Sequence, residues 1–176
     1  PISAVAQVAQ STYPAPVEGD FVARGYVFTS GDQIPEVKIH YRTVGAPRKD
    51  ADGVVRNGVL ILHGTGGTGA GFLSATYAGR LFGKGQALDA EKYFIILPDN
   101  VGHGRSSKPS DGLRMKFPRY GYADMVKLQH LLVTRFTDAM PETLDPAEAP
   151  ADAVLQWLRA DPPLPAGAVN RSGTGS

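Results

Sequence analysis

The 176-residue sequence predicts an α/β fold in which an antiparallel hairpin precedes a parallel βαβ unit. Two observations carry this prediction. Apolar and polar residues alternate in the first part of the chain, which is typical of half-buried strands. Further on, two continuously apolar runs, residues 58–62 and 93–97, enclose a glycine-rich loop and a helix-compatible segment. Continuous apolar runs of this length are typical of strands buried on both faces of a mainly parallel sheet.

The hairpin is predicted to consist of strands at residues 21–29 and 37–43. The Ser-Gly-Asp sequence at residues 30–32 supplies a turn between them. His40 falls on the polar face of the second strand, so we expect a solvated histidine there. The charged, glycine-containing stretch 47–57 that follows is predicted to be a surface loop.

The βαβ unit is assigned in order along the chain. A strand at 58–62 leads into the glycine loop 63–69, a helix-compatible segment at 71–82, a connector at 83–92 and a second strand at 93–97. A long loop, residues 98–109, then begins at the carboxyl end of that strand. In open α/β sheets, binding sites are built at this edge.

An amphipathic helix is predicted over 122–134, with Asp124 in its first turn. Beyond it the composition changes: residues 136–176 carry six acids and two bases, whereas residues 1–135 carry sixteen bases and eleven acids. A short helix at about 150–160 and a linker-like tail from 162 are expected there. We therefore divide the chain into a flexible segment 1–16, a folded part 17–134 and a divergent segment 135–176.

Composition excludes several function classes. A net charge of +1 gives no electrostatic reason to expect a nucleic acid or an anionic membrane as partner. The absence of cysteine removes disulfides, thiolate zinc sites and a cysteine nucleophile. The four histidines are scattered, so neither a metal nor another cofactor is predicted; they are His40, His63, His103 and His130.

The length of the apolar runs and the first residues of the chain both suggest where the protein is located. The longest apolar run is about six residues, well short of the roughly 20 that span a bilayer, so we expect a soluble protein. The chain begins at Pro1 with small and apolar residues and no basic region. This favours a processed, secreted or periplasmic protein over a cytoplasmic one, although a trimmed chain would look the same.

The glycine loop admits two interpretations. Gly64, Gly66 and Gly69 follow a strand with the spacing of a dinucleotide-binding fingerprint, and Asp99 would then be the ribose-binding acid. Against this, a hairpin precedes the loop and a bulky His63 stands at its turn. The alternative is a loop whose backbone N–H groups point at a developing oxyanion.

A second motif favours the oxyanion interpretation. The run from Asp99 through Gly102, His103 and Gly104 to Ser106 resembles the Asp-x-x-Gly-x-Gly-x-Ser signature of α/β hydrolases. Three further segments are similar to the homoserine O-acetyltransferase-like branch of that superfamily. They are the connector at 82–89, the Tyr-Phe start of the strand at 93–94 and the His-Tyr-Arg-Thr-Val-Gly sequence at 40–45. The resemblance covers about residues 17–134.

The resemblance implies an eight-stranded sheet with a helical lid, of which this chain would form the N-terminal part with an incomplete sheet. The implied chemistry is acyl transfer through an acyl-serine, to homoserine or to water. Small acyl esters or acyl-CoA-type compounds would be the substrates. The N–H of Thr65 would be an oxyanion donor, with Gly64 and Gly66 shaping the turn. The remaining motif residues would shape the loops: His63, Asp99, Gly102, His103, Gly104 and Ser106.

The catalytic residues of the resembled family are missing. No serine lies in a Gly-x-Ser-x-Gly sequence, and Ser106 is only a half match, which we interpret as a structural turn. No late histidine follows His130. Because no nucleophile, acid or base is identifiable, we expect this polypeptide alone to be nearly inactive.

Three explanations for the missing residues stay open. The chain could be truncated, could be completed by a second polypeptide, or could lack an internal segment. A non-catalytic binding or scaffold module is the alternative function. An incomplete sheet would also expose strand edges, which favours self-association.

Overall fold

A computed structural model describes residues 12–137, in which four strands form one mixed sheet of order β1-β2-β4-β3. The strands are β1 (Val17–Arg24), β2 (Glu36–Val44), β3 (Gly58–Leu60) and β4 (Phe94–Pro98). The helices are α1 (Ala78–Leu81) and α2 (Tyr122–Thr134). Short 3₁₀ turns lie at Gly69–Leu73, Pro109–Asp111, Arg114–Lys116 and Arg135–Thr137. The expected helix at 150–160, the linker tail and most of the flexible N-terminal segment fall outside the described residues.

β1 and β2 form the predicted antiparallel hairpin, with Val17 opposite Thr43 and Arg24 opposite Glu36. The first strand ends earlier than predicted, because the chain turns inward at Gly25, whose φ is +61°. Tyr26 and Phe28, which the sequence placed on the strand, are instead buried in the core. The expected turn at 30–32 is present.

The prediction for His40 was wrong, since its side chain is buried rather than solvated. β2 lies between β1 and β4, and every one of its residues from Ile39 onward is buried. The loop after β4 continues the hydrogen bonding along β2, because the Ser106 hydroxyl accepts from the His40 backbone N–H at 2.8 Å. The His40 imidazole Nδ1 lies 2.7 Å from a carboxylate oxygen of Asp20. The His40 ring therefore lies against Asp20 and Glu18 of β1 rather than in water.

β4 is an inner strand of the sheet, and all five of its residues are buried. It begins one residue later than predicted, and Tyr93, before it, is 38% exposed. Phe94 and Ile96 belong to the apolar cluster beneath α2. Ile95 and Leu97 belong to the cluster on the opposite face, against α1. β4 runs parallel to β3 and antiparallel to β2, so the expected parallel unit is joined to the hairpin in one sheet.

β3 departs from the prediction of a strand buried on both faces. It has three residues and only β4 as its neighbour among the described strands. Leu60 is 38% exposed and Leu62, beyond the strand end, is 46% exposed. The apolar residues that suggested a central strand thus lie at the edge of the described sheet.

The helix expected at 71–82 is replaced by a 3₁₀ turn and the single-turn helix α1. Glycine and serine have low helix propensity, and this segment contains Gly71 and Ser74 before α1 begins. Its buried contacts come instead from Ala78 and Phe82.

The helix α2 has the bounds that the sequence predicted. Its apolar face packs Leu128, Leu131 and Leu132 against the sheet. Asp124 in its first turn is buried and accepts hydrogen bonds from the Thr29 backbone N–H at 2.8 Å and hydroxyl at 2.6 Å, which ties the hairpin turn to the helix. Within residues 12–137 no helix is long and apolar enough to span a membrane.

Candidate functional site

A cleft of about 320 Å³ lies where the carboxyl ends of β3 and β4 meet the start of α2. This is the edge at which the sequence placed both glycine-containing loops. Its wall is formed by His63, Gly64, Thr65, Asn100, His103, Tyr120, Gly121, Tyr122 and Met125. Three of these, His63, Thr65 and Gly64, come from the loop that was interpreted as an oxyanion loop.

The glycine loop begins with a tight turn over residues 64–67. The Gly67 N–H donates to the Gly64 carbonyl at 3.0 Å, and Gly66 has φ +78°. Because Thr65 is not among the residues with positive φ, this is a type II turn, which requires glycine at its third position. The Thr65 N–H has no hydrogen-bond acceptor within the described part of the chain.

His63 uses both ring nitrogens within the protein. Its Nε2 lies 2.9 Å from the backbone N–H of Asn100, which can only donate, and its Nδ1 lies 2.8 Å from the Gly64 carbonyl, which can only accept. The imidazole is therefore neutral, with its proton on Nδ1. It is 8% exposed and bridges the two loops.

Asp99 is the polar centre beneath the cleft. Its carboxylate accepts from the Gly69 N–H at 2.8 Å, the Arg105 N–H at 2.9 Å and the Arg42 guanidinium at 3.1 Å. Burial alone would raise the pKa of Asp99, but the hydrogen bonds from Arg105 and Gly69 and the charge of Arg42 together hold that pKa below its ordinary value. Gly104 is required beside it, because a Cβ there would collide with the carboxylate.

The carboxylate of Asp99 therefore does not fit the role of a ribose-binding acid. It is fully buried, and its oxygens are engaged by the protein itself. The segment after the glycine loop is a 3₁₀ turn rather than the long helix whose N-terminus would hold a pyrophosphate. The geometry gives no support to the dinucleotide interpretation.

Ser106 and Gly102 shape the loop after β4. The Ser106 hydroxyl donates to the Asp99 carbonyl at 2.6 Å and accepts from the His40 N–H at 2.8 Å, and the residue is fully buried. Both hydroxyl functions are used, so Ser106 is not available as a nucleophile. Gly102 has φ +85°, and a Cβ there would overlap the Tyr120 hydroxyl.

His103 lies in the cleft wall with its ring 5.2 Å from that of His63, edge to face. Its Nδ1 is 3.3 Å from the Val101 carbonyl. Within residues 12–137 no group of three His, Asp or Glu side chains could hold a metal ion.

Asn100 and Gln129 belong to this site but were assigned no role from the sequence. Asn100 follows Asp99 directly and contributes its backbone N–H to His63. Gln129 is 8% exposed on the packed face of α2, and its amide donates to the Asn100 side-chain oxygen. A polar residue one turn after Met125, where helical spacing calls for an apolar one, is the signal that could have found Gln129.

The sequence is similar to proteins named as acyl-transfer enzymes. It is 36% identical over 110 residues to a probable acyltransferase from Methanothermobacter thermautotrophicus, covering 62% of this chain and 33% of that protein. It is 31% identical over 149 residues to a homoserine O-acetyltransferase from Methanohalophilus mahii, covering 76% of this chain and 30% of that protein. The chain spans about a third of the length of these curated relatives. No family model matches the sequence.

Solved enzyme structures have folds similar to that of this chain. The homoserine O-acetyltransferase from Bacillus anthracis superposes with a TM-score of 0.53 at 25% identity, covering 69% of this chain and 37% of that one. An acetylester hydrolase from Corynebacterium glutamicum superposes with a TM-score of 0.54 at 24% identity, covering 69% of this chain and 33% of that one, and shows likeness of fold alone.

Proposed function

Over a partial segment this chain is related to the homoserine O-acetyltransferase-like α/β hydrolases, and from this relationship we propose that it carries the oxyanion loop of an acyl-transfer or ester-hydrolysing site. The observation that carries the proposal is the Thr65 N–H, which has no acceptor in residues 12–137 and belongs to a residue that lines the cleft. Backbone N–H groups of this kind stabilise the negative oxygen that forms when a nucleophile attacks an acyl carbonyl.

The substrate class is proposed to be a small acyl ester or an acyl-CoA-type compound. The cleft volume of about 320 Å³ suits a short acyl group. Its wall combines the exposed turn at Thr65 with the apolar side chain of Met125 and the aromatic ring of Tyr120. An acyl chain lying against Met125 and Tyr120 would bring its carbonyl oxygen toward the loop.

The donor can be tested by a pair of substitutions at Thr65, of which one removes the N–H and the other keeps it. Proline is favoured at the second position of a type II turn, so Thr65→Pro deletes the N–H while retaining the turn. The matched control, Thr65→Ala, removes the side chain and keeps the N–H. Binding of sodium butyrate to the ¹⁵N-labelled full chain is measured by NMR, since its carboxylate resembles an oxyanion on a short acyl chain.

We expect butyrate to shift the amide signals of positions 65 and 66 saturably in the wild type and in Thr65→Ala. In Thr65→Pro we expect about tenfold weaker binding, because a hydrogen bond to a charged group is lost. Equal affinity in Thr65→Pro and wild type would refute the proposed donor.

A non-catalytic acyl-binding module is the second candidate, because the cleft wall formed by the described residues contains no serine. A serine-directed fluorophosphonate followed by mass analysis separates the two candidates. We expect no single serine of the chain to be labelled and p-nitrophenyl acetate to be turned over at close to the uncatalysed rate. Labelling of one serine with turnover well above that rate would show that the chain has its own nucleophile.

A further inference from the structure

The orientation of the Thr65 N–H is decided by the carbonyl on the same peptide unit. In a planar trans peptide the N–H and the preceding C=O point in opposite directions, and the described chain has no cis peptide bonds. Whatever holds the Gly64 carbonyl therefore also aims the Thr65 N–H. That carbonyl accepts two hydrogen bonds, from the Gly67 N–H at 3.0 Å and from the His63 ring at 2.8 Å.

We propose that His63 is a positioning residue, whose Nδ1–H fixes the peptide unit between Gly64 and Thr65 so that the Thr65 N–H faces the cleft. This inference rests on the proposed function, since it assigns His63 a role toward that oxyanion donor. His63 touches no substrate in this role. It acts only through the carbonyl of the residue that follows it.

The tautomer of His63 is set from the neighbouring loop. The Asn100 backbone N–H donates to Nε2 at 2.9 Å, which excludes a proton there and leaves the proton on Nδ1. With the opposite tautomer, two N–H groups would face each other at Nε2 and two lone pairs would face each other at the Gly64 carbonyl. Both contacts would be repulsive, so the tautomer and the turn depend on each other.

Asn100 is itself held by α2. Gln129 is nearly buried and donates its side-chain amide to the Asn100 Oδ1, while the Asn100 Nδ2 lies 3.4 Å from the His63 carbonyl. A continuous set of hydrogen bonds thus runs from the helix through Asn100 and His63 to the turn. Because each link is an oriented polar contact between packed elements, we expect the direction of the Thr65 N–H to be rigid.

The tautomer is measured directly, with no need for activity. Long-range ¹H–¹⁵N spectra of the full chain labelled at histidine report which ring nitrogen carries the proton. We expect His63 to show a protonated Nδ1 and an unprotonated Nε2 at neutral pH. The opposite tautomer, or a doubly protonated ring, would overturn the inference, even if the His63 variants failed to fold.

Substitutions of His63 then test whether it positions the Thr65 N–H or only packs within the fold. In His63→Asn the side-chain amide can still donate near the position of Nδ1, whereas His63→Leu cannot donate at all. We expect butyrate affinity to fall about tenfold in His63→Leu and to be largely restored in His63→Asn. Gln129→Leu is expected to weaken binding about threefold, and Val126→Ala, on the exposed face of α2, to leave it unchanged.

The two proposals fail in different ways. If His63→Leu binds butyrate as the wild type does while Thr65→Pro does not, the donor stands and the role of His63 is wrong. If Thr65→Pro binds normally, the proposed function is wrong. Equal losses in His63→Leu and His63→Asn, with both variants folded, would assign His63 a packing role and overturn positioning.

Discussion

Asp99 forms an ion pair with the hairpin and accepts hydrogen bonds from both the glycine loop and the loop after β4. Arg42 reaches it from β2 and also pairs with Glu18 on β1 at 2.9 Å, and Arg105 pairs with the same Glu18 at 2.6 Å. The Arg42 and Asp99 side chains are 7% and 1% exposed, so their pair is poorly screened by solvent. Removing one member of such a pair leaves the other charge buried without compensation.

We therefore expect Asp99→Asn to lower the free energy of unfolding by about 3 kcal/mol at neutral pH. The pKa of Asp99 is depressed in the folded state, so its stabilisation is present above the unfolded-state pKa of about 4 and is lost as pH falls through the folded-state pKa. The wild type should consequently lose more stability than the variant on acidification, and the two should converge at the acidic end. Urea denaturation across this pH range measures both effects.

The control for this prediction is Asp111→Asn. Asp111 is half exposed and pairs with Lys108 at 2.8 Å, and its pKa is also lowered, first by that hydrogen bond. Because a pair of this kind is screened by water, we expect a loss of less than about 1 kcal/mol. Equal stability of Asp99→Asn and wild type at neutral pH would contradict the assignment of Asp99 as the polar centre of the fold.

At the scale of elements, the turn after β3 connects local backbone geometry to the site. Gly66 has φ +78° and open space around its Cα, so an added Cβ meets no neighbour and only the backbone conformation opposes it. Gly64 also has open space but lacks a positive φ. Because neither glycine is crowded, comparing alanine substitutions at Gly66 and Gly64 measures the cost of the positive φ at Gly66.

We expect Gly66→Ala to destabilise the fold by about 1–2 kcal/mol, because an L-residue disfavours the left-handed region. Gly64→Ala should change the free energy of unfolding by much less. Urea denaturation gives the stabilities, and butyrate titration shows whether the turn still presents the Thr65 N–H. Similar stabilities and affinities for the two variants would show that the type II turn is not needed.

At the scale of the whole molecule, the two edge strands of the described sheet differ in length. β1 is eight residues long and β3 only three, and beside β3 lies an apolar cleft of about 180 Å³ whose lining includes Leu60, Ile96 and Phe136. An unpaired strand edge with exposed apolar side chains is a template for pairing with another chain. We propose that copies of this chain associate through β3.

This proposal predicts a concentration-dependent dimer in sedimentation velocity experiments. Leu60→Lys places a charge on the exposed edge and should shift the protein to monomer. The control is Val126→Lys, since Val126 is 47% exposed on α2 and Leu60 is 38% exposed. A protein that is monomeric at every concentration, or equal association of the two variants, would refute association through β3.

Much of the local structure followed from the sequence alone. The spacing of Leu128, Leu131 and Leu132 with an acid in the first turn was sufficient to place α2, and the apolar run 93–97 to place β4. The two loop motifs placed Thr65 and Asp99 at the same edge of the sheet. These features depend on neighbours in the chain, where periodicity and backbone preference act directly.

The tertiary structure decided the features that depend on partners distant in the chain. His40 looked solvated because its strand alternates, but its ring is buried against Asp20 and Glu18 of β1. The run 58–62 looked central because it is apolar, but its position in the sheet is set by which strands pair. The His63 tautomer depends on Asn100, 37 residues away. Burial, strand order and proton position are properties of packed neighbours, so a local pattern could suggest them but could not determine them.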